Sequence, residues 1–413
     1  MSPFYHYLNG LVNDNKQLYS AYPALKWINP YNAFELLEKR THLLEAGSKD
    51  TLFKGTKPFY HHISKGCQRC GEGLWSCLFI TGKCNASCFY CPTDQSKDDQ
   101  PTSQQLTFDT PEAYAEYVNH FKFQGVSFSG GEPLLYFDRT LAYLKAVRMH
   151  CSPDIHIWMY TNGILADRDK MEQLAAAGLN EIRFDIGATA YRLDKVKLAQ
   201  GIIDTITIEI PAVPEEKERL INLLPEMIEA GVSNLNLHQL RLTPFNVAKL
   251  ATRDYTYLPA ERPIVLESEL TALELIEYAR IHQLEIGINY CSFFFKYRFQ
   301  KAGYRKRLAE VLCQPESRIT EKGYLREIRN GEVCYKGLLL KDGKTTSPGS
   351  ALLSLKHKQY GVEAGIAKAP YKFLGGEALA HQNLVDLEPV TIPEDGFLFE
   401  NWQYEYLEQG LRE

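Results

Sequence analysis

Short apolar runs alternate with longer amphipathic stretches through the middle of this chain. The short runs are rich in Val, Ile, Leu and Phe, which is typical of buried strands, whereas the longer stretches repeat apolar residues every three or four positions, which is typical of helices. The pattern predicts strands over residues 77–81, 125–129, 155–160, 181–186, 205–210 and 234–240. Between them it predicts helices over residues 111–121, 138–150, 168–177, 191–200 and 215–230.

This order of elements predicts an α/β fold built from six strand–helix units. Repeated units of this kind form a parallel sheet, because each helix returns the chain to the same end of the sheet. Six units are fewer than the eight of a closed barrel, so we expect a partial (β/α)6 barrel. The carboxyl ends of its strands should lie on one rim, where catalytic groups collect.

The two ends of the chain follow other patterns. The N-terminal part contains one amphipathic stretch, residues 31–46, and is predicted to form a helical extension. After the six units, a helix over residues 267–281 and a strand over residues 284–289 are predicted, followed by a Gly-, Tyr- and Pro-punctuated tail that predicts a small mixed appendage. The predicted domains are residues 1–65 (covering segment), 66–290 (partial barrel with a preceding cysteine pair) and 291–413 (C-terminal appendage).

Composition narrows the class of protein. The chain has 413 residues, of which 45% are hydrophobic and 23% are charged, with a formal net charge of −5. These values are ordinary for a globular protein and require no polyanionic partner. No apolar run approaches the roughly 20 residues of a membrane-spanning helix, and the N-terminus lacks the pattern of a signal peptide. We therefore expect a cytoplasmic protein that has no membrane partner.

The cysteines indicate metal chemistry. Six of the ten fall between residues 67 and 91, and such clustering favours metal ligands over disulfides. Cys84, Cys88 and Cys91 form a Cys-x3-Cys-x2-Cys motif directly after the first predicted strand. Three thiolates on a short loop can bind three irons of a [4Fe–4S] cluster and leave the fourth iron open to a small molecule.

Zinc is a competing interpretation of the same region. The pairs Cys67-x2-Cys70 and Cys88-x2-Cys91 also have the double-pair spacing of a structural zinc site. That interpretation leaves Cys84 without a role. It also does not account for the motifs at the ends of the following strands.

Two turn motifs follow the second and third predicted strands. The first contains Gly130, Gly131 and Glu132, where consecutive glycines let the backbone approach a ligand and point amides at it, and where the carboxylate could meet an ammonium group. The second contains Thr161 and Asn162 in a Thr-Asn-Gly turn. Each motif alone is typical of an ordinary turn. Their placement at consecutive strand ends, beside the cysteines, favours a shared binding site.

Together these motifs resemble the radical S-adenosylmethionine (SAM) superfamily over about residues 77–240. The resemblance implies that Cys84, Cys88 and Cys91 bind a [4Fe–4S] cluster and that SAM chelates the open iron through its amino and carboxylate groups. It also implies that the Gly-Gly-Glu motif contacts the methionyl end of SAM and that the backbone of Tyr90 meets the adenine. The SAM contacts predicted in this way are Tyr90, Gly130, Gly131, Glu132, Thr161 and Asn162.

Further SAM contacts are expected among polar residues that interrupt apolar strands. Arg183 and Asp185 lie on the fourth predicted strand and Glu209 on the fifth, where they could face the ribose or the methionine carboxylate. The alternative is that they form a solvent-facing side of each strand. His238, on the sixth strand, is expected to be a hydrogen-bonded core residue.

A second group of cysteines suggests an auxiliary iron–sulfur cluster. Cys67 and Cys70 lie just before the barrel, and one pair of thiolates cannot complete a cluster. Cys291 is the preferred additional ligand, and reduced structural thiols are the competing interpretation. The arrangement resembles a radical SAM branch related to pyruvate formate-lyase activating enzyme. Other candidates for the additional ligand are Cys77, Cys313 and Cys334.

The resemblance implies an activity as well as a fold. In this superfamily SAM is cleaved reductively to methionine and a 5′-deoxyadenosyl radical, which removes hydrogen from a protein, a peptide or a small metabolite, and a low-potential donor such as flavodoxin or ferredoxin supplies the electron. One alternative is a non-catalytic zinc- or iron–sulfur-binding module. Another is SAM-dependent methyl transfer or nucleic-acid modification, in which the basic residues of 296–307 would matter. A solvated helix is the competing interpretation of that basic stretch, and the acidic net charge disfavours nucleic acid as a partner.

Overall fold

The computed structural model describes most of the first three quarters of the chain. The continuous parts are residues 3–29, 33–104, 106–260 and 262–312. Beyond them it describes six short strands, Ser317–Ile319, Leu325–Arg329, Glu332–Cys334, Lys336–Leu339, Thr345–Thr346 and Lys372–Gly375, which pair only in the antiparallel direction. Among the described residues, no helix combines the length and the apolar character needed to cross a membrane.

The N-terminal part contains three strands and two further helices beside the one helix expected over residues 31–46. In chain order its elements are α1 (Pro3–Leu18), β1 (Lys26–Trp27), α2 (Phe34–Ala46), β2 (Thr51–Leu52), β3 (Lys57–Tyr60) and α3 (Lys65–Gly71). The hairpin of β2 and β3 joins the edge of the main sheet, so this part of the chain does more than cover the fold. The predicted domain boundaries stay predictions.

The central part contains all six predicted strands in the predicted order, together with short elements that were not predicted. Its elements are β4 (Trp75–Thr81), β5 (Thr102–Ser103), β6 (Leu106–Thr107), α4 (Pro111–His120), β7 (Gly125–Gly130), α5 (Phe137–His150), β8 (His156–Thr161), α6 (Arg168–Ala176), β9 (Glu181–Phe184), β10 (Thr205–Pro211), α7 (Lys217–Glu229), β11 (Val232–His238), α8 (Val247–Leu250), β12 (Thr256–Leu258), β13 (Ile264–Val265), α9 (Leu266–Ile281), β14 (Gly287–Cys291), α10 (Phe293–Phe295) and α11 (Ala302–Leu312).

The main sheet has the order β2-β3-β14-β11-β10-β9-β8-β7-β4-β5-β6. The seven strands from β4 to β14 within it are mutually parallel. The sheet stays open, with β2 and β6 as its edge strands among the described residues. This confirms the predicted α/β class with a parallel sheet, and β14 adds a seventh parallel strand to the six predicted units.

The two faces of the sheet differ in polarity because side chains alternate along each strand. On one face, apolar residues such as Ile80, Phe128 and Ile208 are completely buried in the main hydrophobic core. On the other face lie Cys77, Ser127, Tyr160, Arg183, Glu209, Asn236, His238 and Cys291, most of which line one cavity. The period of two along the strands therefore separates the core from a polar interior.

One predicted helix, over residues 191–200, is not an α-helix. The segment is preceded by Ala190, which has φ of +53° and interrupts helical geometry, and it contains only a short 3-10 helix, Val196–Ala199. Its buried residues Leu193, Val196 and Ala199 recur at every third position. That spacing matches the three residues per turn of a 3-10 helix, so the apolar repeat is compatible with either helix type and does not distinguish them.

Candidate active site

One cavity of about 660 Å³ lies at the carboxyl ends of the parallel strands. We call it the central cavity. It is lined by all six cysteines predicted as metal ligands and by every predicted SAM contact except Glu132. The residues brought together in this way are Cys67, Cys70, Cys84, Cys88, Cys91, Cys291, Tyr90, Gly130, Gly131, Thr161, Asn162, Asp185 and Glu209.

The cysteine loop, residues 84–91, follows β4 and faces the central cavity. The amide of Cys84 donates to the Gln95 carbonyl at 2.9 Å and that of Cys91 donates to the Cys88 carbonyl at 3.2 Å, which fixes the path of the loop. Its three thiols are free and half-buried. Burial raises the pKa of Cys88 to about 12 and also raises the pKa of Cys84. A metal centre bound to these sulfurs would overcome that cost, because its positive charge deprotonates a coordinating thiol.

Gly130 and Gly131 let the turn after β7 pack closely against the chain that leads into the cysteine loop. Gly130 has φ of +122°, and a Cβ there would lie 2.2 Å from the Thr81 carbonyl oxygen. A Cβ on Gly131 would lie 2.0 Å from the Lys83 carbonyl oxygen. The amides of Gly131 and Glu132 donate to these two carbonyls at 2.7 and 2.9 Å. These amides therefore hold the approach to the cysteine loop, whereas the sequence suggested that they point at a ligand.

Glu132 also differs from the expectation that its carboxylate meets an ammonium group. The side chain is completely buried. Its Oε1 accepts from the Leu134 amide at 2.9 Å and from the Thr161 hydroxyl at 2.8 Å, and its Oε2 accepts from the Asn162 amide at 2.7 Å. Burial raises the pKa of Glu132 to about 7, although these hydrogen bonds act in the opposite direction. The carboxylate thus joins the two predicted turn motifs from behind the cavity wall.

Asn162 extends these contacts to the cysteine loop itself. Its side-chain amide donates to Asn85 Oδ1 at 2.7 Å and to Cys84 Sγ at 3.6 Å. The same sulfur accepts from the Ala86 amide at 3.4 Å. Hydrogen bonds to ligating sulfurs are one way in which proteins tune iron–sulfur clusters. The surroundings of Cys84 therefore fit a cluster ligand.

Tyr90 and Asp185 form a hydrogen-bonded pair on the cavity wall. The Tyr90 hydroxyl donates to Asp185 Oδ1 at 2.7 Å, and the Gly187 amide donates to the same oxygen at 3.1 Å. Burial raises the pKa of Asp185 to about 6. The Tyr90 carbonyl accepts from the Asn246 side chain at 3.1 Å, so both the side chain and the backbone of Tyr90 are held in place.

Arg183 is the centre of a buried ionic network on the polar face of the sheet. Its guanidinium donates to Glu181 at 2.8 Å and to Glu209 at 2.6 Å, and the other oxygen of Glu209 lies 2.7 Å from His238 Nε2. Burial tends to raise the pKa of Glu209, but Arg183 and His238 outweigh it and hold this pKa below its usual value. Arg183 and Glu209 are 2% and 8% exposed, so the alternative of a solvent-facing strand surface is wrong.

The second group of cysteines, Cys67, Cys70 and Cys291, lies on a helix and a strand outside the cysteine loop. Cys67 and Cys70 lie on α3, whose first turn is capped by the Ser64 hydroxyl, and Cys291 ends β14. Burial raises the pKa of both helix cysteines, while Lys57 and Arg183 act to lower it. Each of the three sulfurs accepts a side-chain N–H: Cys67 from Asn236 at 3.2 Å, Cys70 from Gln300 at 2.8 Å and Cys291 from Lys57 at 2.8 Å.

Several cavity residues were missed by the sequence analysis. Lys296 lines the cavity, with its Nζ 3.1 Å from His238 Nδ1, and burial lowers the pKa of this lysine. The first residue of the basic stretch 296–307 therefore faces the cavity, whereas a solvated helix would expose it. The aromatic residues interleaved with it were the available signal, since Phe295 and Tyr297 are buried. Lys57 gave no signal, because only the pairing of β3 with β14 brings it to the cavity.

The described residues contain no preformed site for a single metal ion. Among the described residues, no three His, Cys, Asp or Glu side chains are placed to share one metal ion. The zinc interpretation requires Cys67, Cys70, Cys88 and Cys91 on one ion and finds no preformed site in this part of the chain.

Comparison with known proteins agrees with this chemistry. Residues 78–233 match the radical SAM superfamily. A protein of Methanocaldococcus jannaschii named as a putative glycyl-radical enzyme activating enzyme is 27% identical over 278 residues, which is 64% of this chain and 73% of that protein. A GTP 3′,8-cyclase of Rhodopirellula baltica is 29% identical over 174 residues, which is 42% of this chain and 44% of the cyclase. The chain thus spans less than half of the cyclase.

Among solved structures, Streptococcus suis SuiB bound to its precursor peptide SuiA is similar, with 16% sequence identity and a TM-score of 0.41. The match covers 72% of this chain and 64% of SuiB. The match of residues 78–233 to the radical SAM superfamily implies that the protein binds a [4Fe–4S] cluster and SAM.

Proposed function

Residues 78–233 form a radical SAM domain, and on this basis we propose that the protein is an enzyme that cleaves SAM reductively and removes a hydrogen atom from its substrate. The observation that carries the proposal is the convergence of the cysteine loop and both turn motifs on the central cavity. A [4Fe–4S] cluster held by Cys84, Cys88 and Cys91 would supply the electron that breaks a carbon–sulfur bond of SAM and yields methionine and the 5′-deoxyadenosyl radical.

The residues around the loop position the cofactors. Gly131 and Glu132 hold the chain before the loop and the turn beside it, and Asn162 donates to the Cys84 sulfur. Tyr90 and Asp185, which are fixed to each other, offer the adenosine part of SAM a wall with a polar edge. The methionyl end would then lie toward Gly130, Gly131 and Thr161, which face the cavity.

The basic side chains of the cavity favour a substrate that has an anionic group. Lys296, Arg241 and Arg262 line the cavity, as do the carboxylates of Glu209, which pairs with Arg183 and His238, and of Asp185, which accepts from Tyr90. Positive side chains in a partly enclosed cleft raise the local concentration of a negatively charged ligand. GTP, which appears in the name of one group of relatives, is an anion of this kind.

The anionic-substrate proposal can be tested without knowing the substrate. Lys296→Met should weaken the binding of inorganic pyrophosphate about tenfold, measured by isothermal titration calorimetry, since one close charge contact contributes about 1.4 kcal/mol. Lys306→Met, which removes an exposed lysine of the same segment, is the control. Equal binding by wild type and Lys296→Met would contradict the proposal.

A second candidate follows from the Methanocaldococcus jannaschii relative. If this chain acts as that relative's name states, the hydrogen atom comes from a glycine residue of a partner enzyme. The cavity would then receive an extended segment of the partner. A doublet electron paramagnetic resonance signal that persists on the partner after SAM has been consumed would favour this function over a small-molecule substrate.

The decisive experiment measures 5′-deoxyadenosine released by anaerobically reconstituted full-length protein that is given SAM and reduced flavodoxin. Wild type should release it and Cys88→Ala should not, because the variant lacks one of three cluster ligands. Cys151→Ala is the matched control, since Cys151 lies at the end of α5, away from the cavity. No release from wild type, in protein that contains zinc and no sulfide, would refute the proposal and favour the non-catalytic metal-binding module.

A further inference from the structure

Outside the cysteine loop, the strongest cluster of reactive side chains is formed by Cys67, Cys70 and Cys291. We propose that these three cysteines hold a second [4Fe–4S] cluster and that its fourth iron faces the central cavity, where it takes an anionic group of the substrate. The cysteines of this site are separate from the cysteine loop, so the presence of the cluster does not depend on SAM cleavage, whereas its contact with the substrate rests on the proposed function.

Two elements that are distant in sequence present these sulfurs to one space. Cys67 and Cys70 are one turn apart on α3 and therefore point to the same side of that helix. Cys291 ends β14, and all three side chains line the central cavity. Close packing of α3 on the sheet requires Gly66, because a Cβ there would lie 2.3 Å from an Arg183 nitrogen.

The hydrogen bonds around the sulfurs suit ligating thiolates, although Cys291 Sγ also lies 3.9 Å from Asn289 Oδ1. Each of the three sulfurs accepts an N–H from a different polar side chain, which comes from β11, from the segment before α11 or from β3. A buried thiol that only fills space needs no such donors. Sulfur atoms that carry negative charge are stabilised by N–H donors, and N–H···S hydrogen bonds are common around protein-bound clusters.

Charge balance gives an independent argument. Lys57 is completely buried, its ammonium donates to Cys291 Sγ at 2.8 Å, and it lies 4.5 Å from the centre of the Phe295 ring. Within the described residues this lysine has no carboxylate at ion-pair distance. A buried ammonium without a counter-charge is costly. A [4Fe–4S] cluster with three thiolates is anionic in its ordinary states and would supply that charge beside Lys57.

The number of protein ligands determines what the site can do. A four-iron cluster with three cysteine ligands has one iron without a protein ligand, as at the cysteine loop. Since both groups of sulfurs line the same cavity, a substrate bound between them would meet SAM on one side and this iron on the other. The cations Arg241 and Lys296, which line the same cavity, favour an anionic group as the iron's additional ligand.

The test counts iron and acid-labile sulfide in anaerobically purified full-length protein. Wild type should contain about eight of each per chain, and the triple variant of Cys84, Cys88 and Cys91 to Ala should keep about four, because each cluster contains four irons. The double variant Cys67→Ala/Cys70→Ala should likewise keep about four. Cys151→Ala should keep the full content and serves as the control for cysteine removal.

The opposite results would overturn the inference. Four irons in wild type with none in the triple variant would mean that the cysteine loop holds the whole iron content. Zinc without sulfide in the triple variant would mean that the second group is a different metal site. Failure of the proposed function looks different, since the iron counts would stand while no 5′-deoxyadenosine is released from SAM.

A second measurement keeps the inference testable if the cysteine variants fold poorly. In wild type, a redox titration followed by electron paramagnetic resonance should show two reducible clusters, only one of which changes its spectrum when SAM is added. Lys57→Met should shift the other cluster to a lower reduction potential, because it removes a positive charge, and Lys57→Arg should restore the potential. A single cluster signal, or a Lys57→Met shift confined to the SAM-responsive cluster, would contradict the assignment.

Discussion

Replacement of Arg183 by Met should show how strongly the polar face of the sheet depends on one cation. The guanidinium lies between two buried carboxylates, Glu181 at 2.8 Å and Glu209 at 2.6 Å, and it also donates to the hydroxyl of Ser64 at 3.1 Å. Met is also a long, unbranched side chain, but it has no charge. The variant therefore leaves both carboxylates buried without their main partner.

The expected cost is large because the change breaks the network without removing its anions. Breaking a buried ion pair from one side costs about 3–5 kcal/mol. For a folded unit of roughly 150–250 residues, that corresponds to a decrease in melting temperature of roughly 6–20 °C. The N-cap of α3 should also weaken, since Ser64 both accepts from Arg183 and caps the helix that carries Cys67.

The dependence of stability on pH gives a second readout. Burial tends to raise the pKa of Glu181, but Arg183 and His156 outweigh it and hold that pKa below its usual value. A carboxyl with a lowered pKa stabilises the fold above its unfolded-state value of roughly 4.3, and this stabilisation is lost as the pH falls toward the folded-state pKa. The loss of stability between about pH 5 and about pH 3 should therefore be smaller in Arg183→Met than in wild type.

Urea unfolding followed by circular dichroism, repeated from about pH 3 to about pH 8, measures both effects. Arg168→Met is the control, because Arg168 pairs with Glu172 on the surface, where such pairs contribute about 0–1 kcal/mol. If the unfolding free energy of Arg183→Met lies within about 1 kcal/mol of wild type at neutral pH, the ionic network does not stabilise the fold. An unchanged loss of stability in acid would show that Arg183 does not hold down the pKa of Glu181.

Three further changes test the support of the cysteine loop. Gly131→Ala should reduce cluster content at least twofold, measured as bound iron, because the new Cβ would lie 2.0 Å from the Lys83 carbonyl oxygen. Gly10→Ala on α1 is the control and should be neutral, because a Cβ there would meet open space. Asn162→Ala should shorten the time for which iron is retained in air, because it removes the amide that donates to a ligating sulfur. Glu132→Gln should destabilise the fold by about 1–3 kcal/mol in thermal unfolding, since every partner of this carboxylate is a donor and the new NH2 group must face at least one of them. Unchanged stability combined with weaker SAM binding would show instead that Glu132 contacts SAM directly.

Much of the fold follows from local sequence patterns. Period-two alternation marks the parallel strands, and helix caps such as Thr110 with Pro111 mark where helices begin. The spacing of the cysteines indicates iron–sulfur chemistry because ligand geometry depends on a few neighbouring residues. The prediction of an α-helix over residues 191–200 is wrong because a local pattern can fit two structures. An apolar residue at every third position suits an α-helix and a 3-10 helix, and only the positive φ of Ala190, just before the segment, excludes the α-helix.

The tertiary structure alone decided how the polar residues are used. Strand register places His238 opposite Cys291 and Glu209 opposite Asn236, although these residues lie far apart in sequence. It also brings Lys57 to the second group of cysteines through the pairing of β3 with β14. The Gly-Gly-Glu motif marks Glu132 as important. The orientation of its side chain away from the cavity, however, depends on donors from Thr161 and Asn162 in the turn after β8. Sequence determines which chemical groups a chain has, whereas the partners of a buried charge are set by the long-range packing that excludes water from it.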